Sequence, residues 1–512
     1  LERAAGFYRD KTAIVSGDSL LSYADLDKAS NKVANALTKM GVDKGDRIAM
    51  LLSNSPDFVI TFFGIVKAGA IAVPLDPQYR LDELAALFND CLPVALVSES
   101  PILEPIIPFL SRFESIKHVI DLSAQCNGQF LSYPEIMATS PARRVQIEPK
   151  PEDIALILYT SGPSFLTRGV MLSHRSMVKE AAIMGDGFQQ TDKDAVMLYA
   201  LPMYHVFGLV AVLLAAVYKG SAVVMVPGTG LSISTCMAAI EREKGTIFFA
   251  VPYIFALAID MAEKEGIKSD LSSLRVCSSS GDFLPARLIK RFKELYGFKI
   301  LDCFALTEAV CHVTCPSLNG DGKSGSVGKT LPGWEAKIVD DKGQEVPCEQ
   351  PGEIVLRGPF MLGYYNNLQA TAEVLKDGWL HTGDIGKIDE DGNLFITGRK
   401  KDIIIVKGQN IHPADIEAVL YQHPQVAEAA VIGIPDEMRG EVVGAVVSLK
   451  AGAAATEQDI KRLCLERLAS YKVPKQIFFL DSLPRTSFGT IDKESIRRLL
   501  SIPSPVLRVV IP

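Results

Sequence analysis

The amino-acid sequence predicts an α/β protein of at least two domains, and three observations carry that reading. Apolar strand-like runs alternate with helical patterns along most of the chain, the arrangement that builds βαβ units around mostly parallel sheets. The 512 residues exceed what one hydrophobic core usually serves. A compositional break at Gly398-Arg399-Lys400-Lys401-Asp402 precedes a stretch in which the pattern restarts.

Taken in order, residues 25–40 carry apolar side chains at helical spacing, and residues 153–159 (Asp-Ile-Ala-Leu-Ile-Leu-Tyr) read as a buried strand. The longest apolar run, residues 206–218, ends at Lys219 and falls short of the ~20 residues that span a bilayer, so it reads as a buried core helix. Beyond the break the order is a strand at 403–406, a helix at 413–421, strands at 429–433 and 441–449, and a helix at 457–469. This stretch of roughly 110 residues is long enough to fold separately.

Composition narrows the function classes. Hydrophobic residues at 48% and charged residues at 22% exclude a disordered or fibrous chain. A net charge of -7 without a long Lys or Arg block argues against a nucleic-acid partner. The nine cysteines lack the pairing of a disulfide framework, which fits reduced thiols in a cytoplasmic protein. Cys311 and Cys315 with His312 between them resemble metal ligands, but no second ligand pair follows. The start at Leu1-Glu2-Arg3 has neither a methionine nor the apolar core of a signal peptide, which points to trimming or processing. No transmembrane segment is expected, while peripheral contact with a membrane and the oligomeric state stay open.

The segment Leu158 to His174 reads as strand, polar turn and helix. Thr160, Ser161, Gly162 and Ser164, with Arg168 close by, can cradle phosphate oxygens through hydroxyls, main-chain N–H groups and a cation. It is not a Walker loop, because Gly-Lys-Ser/Thr is missing, and such a Ser/Thr/Gly loop can equally be an ordinary turn.

Further on stand Asp302-Cys303-Phe304-Ala305-Leu306-Thr307-Glu308, then Gly378-Trp379-Leu380-His381-Thr382-Gly383-Asp384, then the break itself with Lys407-Gly408-Gln409-Asn410-Ile411-His412-Pro413. Together, in this order and from Leu21-Ser22-Tyr23 to Pro484-Arg485-Thr486, they resemble the acyl-adenylate-forming superfamily, closest in look to fatty acyl-CoA synthetases and coumarate-CoA ligases. The resemblance implies a large N-terminal domain of several subdomains (1–397), a hinge (398–402, centred on Lys401) and a small mobile α+β C-terminal domain (403–512). It implies an AMP-forming acid:CoA ligase that uses ATP, Mg²⁺ and CoA. Phe304 would stack on adenine, beside Asp302 and Cys303, with Gly281-Asp282-Phe283 as the other wall. Thr307 would bond the α-phosphate, Glu308 would hold Mg²⁺, and Asp384 would accept the ribose hydroxyls with Arg399 in support. His205, in Pro202-Met203-Tyr204-His205, would sit by the substrate carboxylate, and Gly408 would line the pantetheine channel. His174, His381 and His412 read as structural.

The chemistry asks for few acids and bases. A carboxylate with a pKa of roughly 4 to 5 is already ionised at neutral pH, and a thiol near ~8.5 is partly so. Bringing one anion against another is the obstacle, so charge neutralisation and in-line positioning should dominate. Two departures from the family pattern bear on this. Pro163, Phe165 and Thr167-Arg168 stand where small residues, glycine and Pro-Lys are usual, and Thr490 replaces the lysine of the C-terminal Pro-Arg-Thr signature. Attenuated adenylation is therefore expected, with Lys493 as the candidate substitute. The competing readings are an enzyme that loads a carrier protein and a non-catalytic ATP- and acyl-binding homologue. The pocket candidates Phe207, Val251, Pro252, Tyr253, Ile254 and Ser279 are mostly apolar, which favours a fatty or aryl acid.

Overall fold

The structure, a computed structural model, describes residues 1–123, 130–160, 168–226, 232–267, 269–320, 322–402, 404–406, 409–436, 440–468, 472–486, 489–501 and 508–509. Among these, two sheets carry the N-terminal part. In the first, Ile300–Asp302, Val276–Ser279, Ile247–Ala250, Ala195–Leu198, Ala222–Met225 and Thr12–Ser16 run parallel, and Ser19–Ser22 closes the edge antiparallel. Its inner strands Val276–Ser279 and Ile247–Ala250 are buried at every residue. Strands covered on both faces read as continuous apolar runs rather than alternation.

In the second sheet, Ile154–Thr160, Ile71–Pro74, Arg47–Leu51, Ala95–Ser98, His118–Asp121 and Leu131–Ser132 are parallel. Arg168–Ser173 and Gly363–Tyr364 join it antiparallel. An antiparallel sheet follows, built from Glu335–Val339, Gly352–Arg357, Leu375–Lys376, Trp379–Ile388 and Leu394–Arg399. One large core reaches from Ala4 to Leu394, and two separate cores gather only residues from Ile404 onward. Between them lies the short helix Lys400–Asp402.

The C-terminal part is α+β. The strands Val426–Asp436 and Gly440–Leu449 pair antiparallel, Gln476–Phe479 adds a parallel neighbour, and the helices Pro413–Leu420 and Glu457–Arg467 supply Ile416, Leu420, Ile460 and Cys464 to its core. The strand Ile404–Val406 turns back into Gln409–Ile411, a strand the sequence pattern does not announce.

Two sequence expectations need correction. The loop after Thr160 does not lead into a helix. It joins two antiparallel strands, with Thr160 opposite Arg168, and the helix His174–Gly187 starts only after Ser173, whose hydroxyl accepts from the Ser176 amide as its cap. The apolar run 206–218 is buried as expected, but Phe207–Leu214 forms wide π-type turns before the α-helix Ala215–Lys219. Gly208 lies within this segment, and a side chain there would press into the Pro202 carbonyl.

Candidate active site

Strand direction decides where the motifs meet. Leu198, Ala250, Ser279 and Asp302 are the last residues of four neighbouring parallel strands, with Ala250 opposite Ser279 and Ser279 opposite Asp302. The chain leaving these ends carries His205, Tyr253, Gly281 to Phe283 and Phe304 to Glu308. Ligand sites of α/β sheets form at such carboxyl edges.

Cys303 continues the sheet, its amide donating to the Ser279 carbonyl at 2.9 Å. Phe304 follows, 6% exposed, and its backbone is held by Val313 and Thr314. Burial pushes the Asp302 carboxyl and the Cys303 thiol well above their usual ranges. Thr307 and Glu308 lie on the short helix Thr307–Ala309, Thr307 buried and Glu308 half-buried. Glu308 Oε1 accepts a 2.8 Å bond from the Tyr364 hydroxyl, and the Arg168 guanidinium sits 5.1 Å from the centroid of the Tyr364 ring. Arg168 and Tyr364 meet because their strands are neighbours in the second sheet, and Tyr364 carries the contact on to Glu308.

The third sheet supplies Asp384. It is 4% exposed, lies opposite Arg399 in the strand pairing, and its Oδ1 accepts from Arg399 Nε at 3.0 Å. Asp384, followed by Asp402 and Glu308, raises the Arg399 pKa, so these carboxylates share one neighbourhood. On the opposite side Gly281 adopts φ +92°, a conformation that favours glycine. Asp282 Oδ1 accepts from the Phe283 amide at 2.8 Å and Oδ2 from the Ile491 amide at 3.0 Å. Burial raises the Asp282 pKa despite these bonds. His205 Nδ1 accepts from the Phe207 amide at 3.2 Å, and burial lowers the ring's pKa to about 4, leaving a neutral imidazole at pH 7.

From the C-terminal part comes Thr490. Its Cγ2 lies 3.9 Å from a Cβ built on Gly281, and its hydroxyl is 2.7 Å from that of Thr486. The ammonium of Lys493 is committed elsewhere, 2.7 Å from the buried Glu417, whose carboxylate also accepts the Val431 amide. Lys401 belongs to the helix Lys400–Asp402. Ser161, Gly162, Ser164, Phe165 and Gly408 lie outside the described residues.

Sequence reasoning did not find Tyr364, which links Arg168 to Glu308, nor the contacts that fasten the C-terminal part. Arg287 donates to the Val426 and Ala427 carbonyls at 2.8 and 3.0 Å, Phe283 and Tyr421 stack with centroids 5.8 Å apart, and Arg485 covers the Tyr253 ring at 4.0 Å. No local pattern announces such pairings. Glu180 was missed as well. It is fully buried on the helix His174–Gly187, accepts a 3.0 Å bond from Trp334 Nε1, and burial raises its pKa to about 8.

That shift has a measurable sign. Between its ordinary value of 4.5 and about 8, Glu180 keeps in the folded state a proton that the unfolded chain has released, so its contribution to stability falls as pH rises through this interval. Glu180→Gln retains an acceptor for Trp334 without the titration. Its melting temperature relative to the native chain should therefore climb from pH 5 toward about pH 8, measured by calorimetric unfolding. A constant difference would remove the buried proton.

The chain is similar to known proteins over nearly its whole length. Residues 1–365 match the family described as AMP-binding enzyme, and residues 415–490 match its C-terminal domain. The chain is 33% identical to a long-chain-fatty-acid–CoA ligase of Bacillus subtilis, covering 98% of this chain and 93% of that protein. It is 35% identical to an indoleacetate–CoA ligase of Aromatoleum aromaticum, covering 98% and 97%. Among solved structures, the anthranilate CoA ligase AuaEII in complex with anthranoyl-AMP superposes with a TM-score of 0.91 at 31% identity, covering 97% of this chain and 96% of that one. With both family regions matched and relatives aligned over nearly their whole length, the chain belongs to the AMP-binding enzyme family.

Proposed function

We infer that the chain is an ATP-dependent, AMP-forming carboxylic acid:CoA ligase that activates a fatty or aryl acid as its acyl-adenylate and passes the acyl group to CoA. The observation that supports this most is the convergence of Arg168, Thr307, Glu308 and the Asp384–Arg399 pair on the carboxyl edge of the first sheet. In this reading Phe304 and the Gly281-Asp282-Phe283 turn hold adenine, Asp384 accepts the ribose hydroxyls, and Thr307 bonds the α-phosphate. Arg168, with Thr160 and the loop between them, neutralises the phosphate chain, and neutral His205 orients the carboxylate without competing for its charge. Asp302 and Cys303 carry Phe304 at the end of their strand.

Mg²⁺ is usually held by one or two carboxylates and the substrate's phosphates, and Glu308, a half-buried oxygen donor beside Arg168 and Arg399, fits that donor set. Bound there, the ion supplies further charge neutralisation at the phosphates. The C-terminal part turns about residues 398–402, and Lys401 and Gly408 serve the thioester-forming pose. Lys493, held by Glu417, is a second-best cation for adenylation in the pose described. Among the described residues no helix is long and apolar enough to cross a membrane. A cytoplasmic site of action is supported by the eight described cysteines, all free thiols.

The experiment is pyrophosphate release with a panel of fatty and aryl acids in the presence of CoA. Glu308→Gln should lower the Mg²⁺-dependent rate by about 10²-fold or more, the scale of one lost transition-state contact, while the melting temperature stays near native. Native rates in Glu308→Gln would overturn the metal role, and AMP formation that ignores CoA would overturn the acceptor.

A further inference from the structure

Buried polar atoms collect behind His205. Glu180 has no solvent exposure, its Oε2 accepts from Trp334 Nε1, and its Oε1 has no hydrogen-bond partner among the described residues. His312 is equally buried. Its Nδ1 lies 3.2 Å from Cys311 Sγ, and its Nε2 has no partner among the described residues. The imidazole is walled by Phe207, Phe188 and Phe249, with ring centroids at 5.1, 5.9 and 6.2 Å. The two residues are neighbours, for the His312 amide faces the Glu180 carboxyl.

Two links connect this cluster to the acid-binding end. Phe207, the nearest ring to His312, donates its amide to His205. Cys311 Sγ lies 3.7 Å from the Val206 carbonyl. A native interior rarely leaves one such group unpaired, and two on neighbouring side chains point to a ligand that completes them. Burial lowers the His312 pKa to about 3 and raises that of Glu180 to about 8, so both are uncharged at pH 7. A neutral carboxyl and a neutral imidazole can each donate or accept. A hydroxyl or aromatic amine does both, whereas a hydrocarbon does neither.

We propose that Glu180 and His312 form the polar far end of the acid-binding site and select an aryl acid bearing a hydroxyl or amino group over the plain hydrocarbon acid. The aromatic wall suits a ring, and the two orphaned atoms suit its substituent. This rests on the ligase reading above. Sites built to hydrogen-bond a substrate group discriminate strongly against the analogue that lacks it, because their own polar atoms stay unpaired.

The test compares phenylpropanoate with its meta- and para-hydroxy and amino derivatives, and with octanoate, in pyrophosphate release by the full chain. The best substituted acid should exceed phenylpropanoate in kcat/KM by roughly 10- to 100-fold. Glu180→Leu and His312→Leu should each erase most of that preference with the KM for ATP unchanged, and Glu180→Gln should keep it. If the leucine variants do not fold, His312→Phe, compatible with an already aromatic wall, gives the same reading. Equal or better use of phenylpropanoate or octanoate by the native chain overturns the proposal, as does a preference that survives in the apolar variants. If no acid supports pyrophosphate release, the ligase reading fails, and calorimetric affinities for the same acid pairs still decide this one: equal affinities overturn it.

Discussion

Replacing Thr490 by lysine is expected to accelerate pyrophosphate release by about 10²-fold, the usual worth of one transition-state contact to developing negative charge. The loop carrying residue 490 already lies against Gly281, so a longer cationic side chain there starts from the edge of the nucleotide site. Thr490 itself spends its hydroxyl on Thr486, and the nearby Lys493 is held by Glu417. Neither delivers a positive charge in this pose. Because only adenylation uses the contact, thioester formation from a supplied acyl-adenylate and CoA should be fast in the native chain and unchanged by Thr490→Lys. Single-turnover measurement of the two half-reactions checks this. No gain from the lysine while ATP binds normally would mean that Lys493 already fills the role or that the obstacle lies in the loop around Phe165. Equal slowness in both half-reactions of the native chain would refute the division and favour the non-catalytic reading.

Asp384→Ala should weaken ATP binding by about 10²-fold or more. A carboxylate accepting from two hydroxyls contributes roughly 1.5 to 3 kcal/mol per bond, and its loss also leaves Arg399 without the partner that raises its pKa first. Asp384→Asn keeps an uncharged acceptor and should lose less. Titration calorimetry with ATP separates the variants. Native affinity in Asp384→Ala would show that the residue serves only the strand pairing with Arg399.

Much of this was legible in the sequence because long-range order repeats local pattern. Continuous apolar runs gave the parallel strands, and the restart after residue 402 gave the C-terminal strands and helices. The segment after Thr160 misled because Arg168–Ser173 is only six residues long, and six residues ending in a Ser-His helix cap carry too little periodicity to separate strand from helix. Gln409–Ile411 was hidden for the same reason. The gathering of motif residues at strand ends was legible. Meetings between distant segments were not, as with Tyr364 and Glu308, 56 positions apart, or Glu180 and Trp334, 154 apart. Nothing in the spacing of a single chain encodes such pairs.

The grip of Arg287 on the C-terminal part falls on main-chain oxygens, and this makes tolerance to mutation one-sided. Every amino acid presents a carbonyl, so exchanges at half-exposed Ala427 leave that bond in place, whatever the new side chain. Val426 is limited by its own core rather than by the contact. Arg287 has no such freedom, since no shorter or uncharged side chain offers the same planar fork of donors. Sequence drift across this seam is therefore silent on one bank and audible on the other.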